Sequence, residues 1–184
     1  MRSHPIISAA LAVAATACAS SSQAEQVRDA HNERIDERTV AQTQAVEDRE
    51  DARIDRIKWK HELAKNDVVM YGKQDPQAAK QLILVDEQQS TYEAKVAARY
   101  ETIGVRINAA REKLAILGNK APAGLRNELA AVQREHTQLE PEVRALPAAP
   151  TTIWEESAET LDNRLAALNA RVKRLTVEIE NHAV

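Results

Sequence analysis

"LRNELAAVQREHTQLEPEVRAL", Leu125 to Leu146, carries the most regular pattern in the chain. Leu125, Leu129, Val132, His136, Leu139, Val143 and Leu146 follow one another at alternating steps of four and three. A helix turns once in about 3.6 residues, so this spacing draws one narrow stripe along a helix. A strand would need a period of two. Narrow stripes at this spacing pack as coiled-coil seams. Pro141 falls inside the run. It lacks an N–H and crowds the preceding turn, so a kink or a restart is expected there. His136 holds a seam position and reads as a packed or core-edge histidine rather than a ligand.

Similar stripes lie on both sides of this stretch. Upstream, "GNKAPAG" (118–124) is a turn, bracketed by Gly118 and Pro122. Before it, Leu82, Val85, Tyr92, Val96, Ile103, Ile107, Ala110, Leu114 and Leu117 mark a helix over about 76–117, with a slip near Arg99 and Tyr100. That helix opens at "YGKQDP" (71–76), where Gly72 can end one helix and Asp75-Pro76 can cap the next. Downstream, "PAAPTT" (147–152) is a linker. Thr152 and Glu155 then fit a capping box. Trp154, Ala158, Leu161, Leu165, Leu168, Val172, Leu175 and Ile179 stripe the last helix. The expected fold is all-α: an antiparallel three-helix bundle or coiled coil over 76–182, with helices about 76–117, 122–146 and 152–182. Short turns favour antiparallel neighbours.

A long charged helix, 24–71, precedes the bundle. Between Glu25 and Asp67 it has 12 acids and 9 bases. Its large apolar residues are too few for a core face, but Ile35, Val46, Ile57 and Val68 recur every eleven residues. An eleven-residue repeat suits a straight or slightly right-handed superhelix. Asp29, Glu33 and Glu37 form a like-charged column, repeated by Glu47, Asp51 and Asp55. Arg34/Arg38 and Arg49/Arg53 do the same in the other sign. Such columns cost an isolated helix a few tenths of a kcal/mol per pair. Two readings follow: each column faces an opposite column on a partner or a second copy, or the helix is a solvated tether. It either continues as a stalk or folds back on the bundle. "VRDAHNERID" (27–36) and "VEDREDARID" (46–55) also match at five positions, from duplication or from biased composition.

Composition agrees with helices. Aromatic residues are 3%, Phe is absent, and only 4 Gly and 6 Pro interrupt a chain that is 29% charged. A net charge of −3 with mixed signs argues against nucleic acid, which needs an excess of Lys and Arg facing phosphates. The single cysteine, Cys18, can form no internal disulfide.

Cys18 sits at the end of a leader. Arg2 gives a positive start, and residues 6–17 are an uncharged run of twelve, in the range of a signal core and too short to span a bilayer. "ATAC" (15–18) resembles the signal of bacterial lipoproteins, in which small residues precede a cysteine that is lipidated and becomes the mature N-terminus. It departs from that pattern at Ala15, where the family usually has Leu. The resemblance implies a signal peptide over 1–17, acyl chains (palmitate among them) on Cys18, a polar tether over 18–23, and membrane attachment through lipid. Ala19 follows the cysteine, where Asp would mark retention at the inner membrane. The resemblance therefore favours the outer membrane, with the bundle facing the periplasm. The other readings of this segment are ordinary secretion and an uncleaved cytosolic N-terminus.

Little in the sequence points to catalysis. His31, His61, His136 and His182 form no HExxH or zinc spacing, and no calcium loop, phosphate loop or nucleophile elbow is present. His61 beside Glu62 reads as surface. Loops, where pockets are usually built, are few and short. The expectation is a protein that is not an enzyme, with no catalytic or metal-binding residues, no cofactor and no small-molecule substrate. Trp59 and Trp154 are the candidate interaction residues, because Trp is enriched among partner anchors. Trp154 could instead seal the end of the bundle. The leading function is an envelope lipoprotein that acts as a coiled-coil structural, spacer or protein-interaction module, with a homo-oligomer or an envelope protein as partner. The alternatives are a periplasmic holdase-like chaperone and a cytosolic stress-associated coiled-coil protein.

Overall fold

The structure, a computed structural model, describes residues 8–70 and 75–182, with side chains for 23–68, 75, 77–150 and 152–182. The first seven residues of the expected signal peptide and the Cys18 side chain lie outside the described residues.

The chain is all-α. Helix α1 is Ser8–Met70, α2 is Pro76–Leu117, α3 is Ala123–Ala145 and α4 is Thr151–Asn181. Short 3-10 turns, Gly118–Lys120 and Leu146–Ala148, follow α2 and α3. The core is one cluster shared by α2, α3 and α4. Ile103, Val132, Leu139, Leu165, Leu168 and Val172 are fully enclosed in it. Side-chain contacts between helices fix their directions. Arg99, Arg106 and Lys113 of α2 meet Asp162, Asn169 and Glu180 of α4 in rising order, so these two helices run parallel. Helix α3 returns between them: Arg164 and Arg171 of α4 reach Glu142 and Glu135 of α3 in opposite order.

Helix α1 folds back along α2 rather than extending away as a stalk. Arg38, Arg49 and Lys65 pair with Glu112, Glu101 and Glu87, so α1 runs antiparallel to α2. Its buried residues are Ile35, Val46, Ile54, His61 and Val68, with Ile57 half-buried. The eleven-residue stripe is therefore the contact stripe. On α2, Ala94, Ala98 and Ala109 are buried outside the main cluster and share a flank with Glu87, Glu101 and Glu112. Small residues there let α1 approach with few large side chains of its own. This contact forms a separate, thinner layer beside the core.

Helix boundaries follow local chemistry. Asp75 caps α2, its Oδ1 accepting from the N–H groups of Gln77 and Ala78 at 3.1 Å. Gly118 ends α2 at a φ of +54°, a backbone that only glycine adopts without strain. Three expectations are corrected. Helix α1 is already helical at Ser8, well before Ala24, because the Ala-rich segment before Cys18 is itself good helix sequence. Pro141 does not restart α3, which runs four residues beyond it. The Thr152–Glu155 capping box does not form. Pro150, with φ −56° and ψ 140°, turns the chain into α4 directly, and Thr151 is already helical. The Ile153 N–H then bonds the Pro150 carbonyl at 3.0 Å.

Candidate functional site

Helices α1 and α2 outrun the other two at one end. The Tyr92 hydroxyl donates to the Ala158 carbonyl, and Trp154 Nε1 donates to Glu93 Oε1, both at 3.1 Å. These bonds put the start of α4 level with the Tyr92 region of α2. The first dozen residues of α2 and the last turns of α1 therefore project as a two-helix arm, on the order of 15–20 Å long.

Large apolar side chains meet solvent along the arm and just below it, as Val27, Val40, Ile153 and Val177 do elsewhere. Trp59 is 66% exposed and Leu82 72%, and Leu63, Leu84 and Val85 are also exposed. Leu82 and Val85 continue the α2 stripe that meets α3 and α4 farther along, but no helix of the bundle reaches them. Trp59 and Leu63 lie one turn apart on α1. They are offset from the contact residues Ile57 and His61 and face away from α2.

A charged clasp sits at the base of the arm. His61, expected at the surface, is 4% exposed and faces α2. Its Nδ1 lies 2.7 Å from the Ile57 carbonyl and its Nε2 lies 2.7 Å from Asp86 Oδ2. A carbonyl and a carboxylate can only accept, so the two contacts together are those of the imidazolium form of the ring. Burial opposes the charge, but the Asp86 and Ile57 hydrogen bonds, with the nearby Asp86 and Glu87 charges, outweigh it and raise the pKa above 6.5. Next to it, Lys65 Nζ bonds Glu87 Oε2 at 2.9 Å. One sequence signal pointed to this residue. His61 continues an eleven-residue series from Thr39 through Glu50, both half-buried on the inward side of α1, and it falls one turn after Ile57.

A second buried charge ties the opposite end. Lys113 is 4% exposed and bonds both Asp36 of α1, at 2.6 Å, and Glu180 of α4, at 2.7 Å. Burial works against its charge, but the two carboxylates prevail and its pKa is raised. A groove of about 410 Å³ beside it is lined by Asp36, Thr39, Arg106, Ala109, Lys113 and Lys173, among others.

The two tryptophans have different settings. Trp154 packs against the core edge, with its ring edge-on to Tyr92 at 5.4 Å. Burial raises the Glu93 pKa, partly offset by the Trp154 hydrogen bond. Trp59 stands in solvent. His136 lies flat on Tyr100, with ring centroids 4.0 Å apart, and its Nε2 is 3.0 Å from the Tyr100 carbonyl. Gly104 makes room for that ring: a Cβ there would lie 3.2 Å from it. The acidic columns are exposed. Among the described residues, Asp29 alone of the six makes an ion pair, with its neighbour Arg28 at 3.9 Å. Of the basic columns, Arg38 and Arg49 pair with α2. The partner of these two arginines is α2, a helix of the same chain.

Among the described residues no cluster of His, Cys, Asp and Glu could hold a metal, and no helix is long and apolar enough to cross a membrane. No family model, no curated protein and no solved structure matches this chain.

Proposed function

We propose that the chain is a non-enzymatic lipoprotein of the bacterial envelope that holds a helical bundle and its arm at a fixed distance from a membrane. Lipid on Cys18 anchors it to the outer membrane, and the bundle faces the periplasm as a spacer or protein-interaction module. One observation carries this reading: α1 is a single helix from Ser8 to Met70, so Cys18 and the arm lie at opposite ends of the same rod. At ~1.5 Å per residue, Met70 stands about 78 Å from Cys18. A lipid at Cys18 would thus place the exposed Trp59, Leu63, Leu82 and Val85 far from the membrane that anchors them, in reach of a protein. The seams of α2, α3 and α4 follow the narrow spacing of coiled coils, which suits a spacer or interaction module.

The test is fractionation of a tagged chain with and without Cys18→Ala. The native chain should sediment with membranes and gain the mass of acyl chains after loss of residues 1–17. Globomycin should make the uncut precursor accumulate. Membrane association that survives both Cys18→Ala and globomycin would overturn the lipid anchor.

The exposed apolar arm also favours a second reading, a holdase-like chaperone that grips unfolded chains. That reading requires the purified mature chain to suppress aggregation of an unfolded substrate, and Leu82→Lys with Trp59→Lys to abolish the effect. Equal aggregation with and without the protein removes it.

A further inference from the structure

The arm has little apolar contact of its own. Beyond the start of α4 the described inward side chains of α1 are Ala64, the Lys65 stem and Val68, and of these Val68 alone is a buried large apolar residue. Two charged contacts at its base, His61–Asp86 and Lys65–Glu87, therefore bear much of its closure. They differ in one respect. A lysine keeps its charge through neutral pH, whereas a histidine titrates near it.

We infer that the His61–Asp86 pair is a pH-operated clasp: the arm stays closed while the His61 ring holds its second proton and loosens at its free end when that proton leaves. The geometry sets this behaviour. With both nitrogens at 2.7 Å from acceptors, losing either proton leaves a ring lone pair facing an oxygen lone pair in a buried site. One hydrogen bond becomes a repulsion, and the Asp86 carboxylate loses its counter-charge. The groups around the ring come from two helices. Helix α2 supplies Asp86 and Glu87, and α1 supplies the Ile57 carbonyl, with Glu62 and Lys65 adjacent. Lys65 is already paired with Glu87, so Asp86 is left as the charge that depends on the ring. Loosening would uncover Val68, with Ala64 and the Lys65 stem, on the face of α1 that meets α2. The apolar surface offered by the arm would then grow as pH rises through neutrality. The inference is independent of lipid attachment and of what the arm binds.

Nitrogen-15 NMR of the ring tests the clasp on the native chain. Both His61 nitrogens should be protonated at pH 6.5, with a titration midpoint above that pH, and Asp86→Asn should move the midpoint down. Amide exchange at Leu63, Ala64 and Leu84, corrected for the intrinsic rate, should speed up between pH 6.5 and the midpoint and beyond. The opening constant should rise about tenfold for each unit by which the midpoint exceeds 6.5. In His61→Gln this added pH dependence should vanish. A midpoint at or below 6.5 would overturn the clasp, as would the same pH dependence in His61→Gln. If His61→Gln leaves the arm unfolded, the native titration and Asp86→Asn still decide.

Discussion

Two side chains, His61 and Lys113, place buried positive charge in the seam between α1 and the bundle, one toward each end. Their partners keep more than half their surface in water, so each contact is worth less than a fully enclosed pair. Lys113→Ala should still cost about 1–3 kcal/mol in urea unfolding, because it frees Asp36 and Glu180 together and removes a side chain that bonds both α1 and α4. Lys113→Met, which keeps the stem, should cost less. The pH dependence has a definite sign at both residues. Each folded pKa is raised, so each contribution is complete below the ordinary value and lost as pH climbs through the raised one. For His61 that loss begins near pH 6.5, and for Lys113 only above 10.5. Native stability should therefore decline relative to His61→Gln from pH 6.5 upward, as urea midpoints at pH 6 and pH 9 would show. A constant difference would contradict the imidazolium assignment.

Among the elements, α2 is the one that every other helix touches, and Gly104 lies on it where α3 comes close. In an ordinary helix Gly→Ala gains about 1 kcal/mol. Here the new methyl would press on a His136 ring already held by Tyr100. Gly104→Ala should show no gain in thermal denaturation, and the gain should return in the His136→Ala background. The seams of α2, α3 and α4 were legible because large apolar residues recur at three and four with few interruptions. Gly118 and Asp75 were legible because their turn chemistry is local. The start of α4 was misplaced because Pro150 acts through its fixed backbone, which overrode a capping box that looked sound by composition. The direction of α1 was not legible. Its contact stripe mixes Ile and Val with Thr, Glu and His, and its partner face on α2 is alanine, which sequence patterning treats as neutral. For the same reason His61 looked like a surface residue: what buries it is Asp86, 25 positions away.

At the scale of the molecule, two layers of unequal strength share α2. The core shared by α2, α3 and α4 is a continuous cluster of buried apolar residues, whereas the α1 layer rests on four widely spaced buried aliphatic residues and on ion pairs. Leu165→Ala, at a fully enclosed position, should cost about 2–5 kcal/mol and lower the unfolding of the whole bundle. Ile35→Ala should instead free the α1 layer first, so that hydrogen exchange quickens over α1 and stays slow at Ile103 and Leu168. The central claim is that α1 lies back along α2 rather than standing away as a stalk. Spin labels at Val40→Cys and Asn108→Cys, both exposed, in a Cys18→Ser background test it most directly. Arg38–Glu112 sets the two sites at nearly the same height. Neighbouring helix axes lie about 8–10 Å apart, so the pulsed dipolar distance should centre near ~25 Å once the label arms are included. A stalk that continued straight from α2 would separate the same sites by roughly 90 Å. A distribution without a population below ~40 Å would contradict this arrangement.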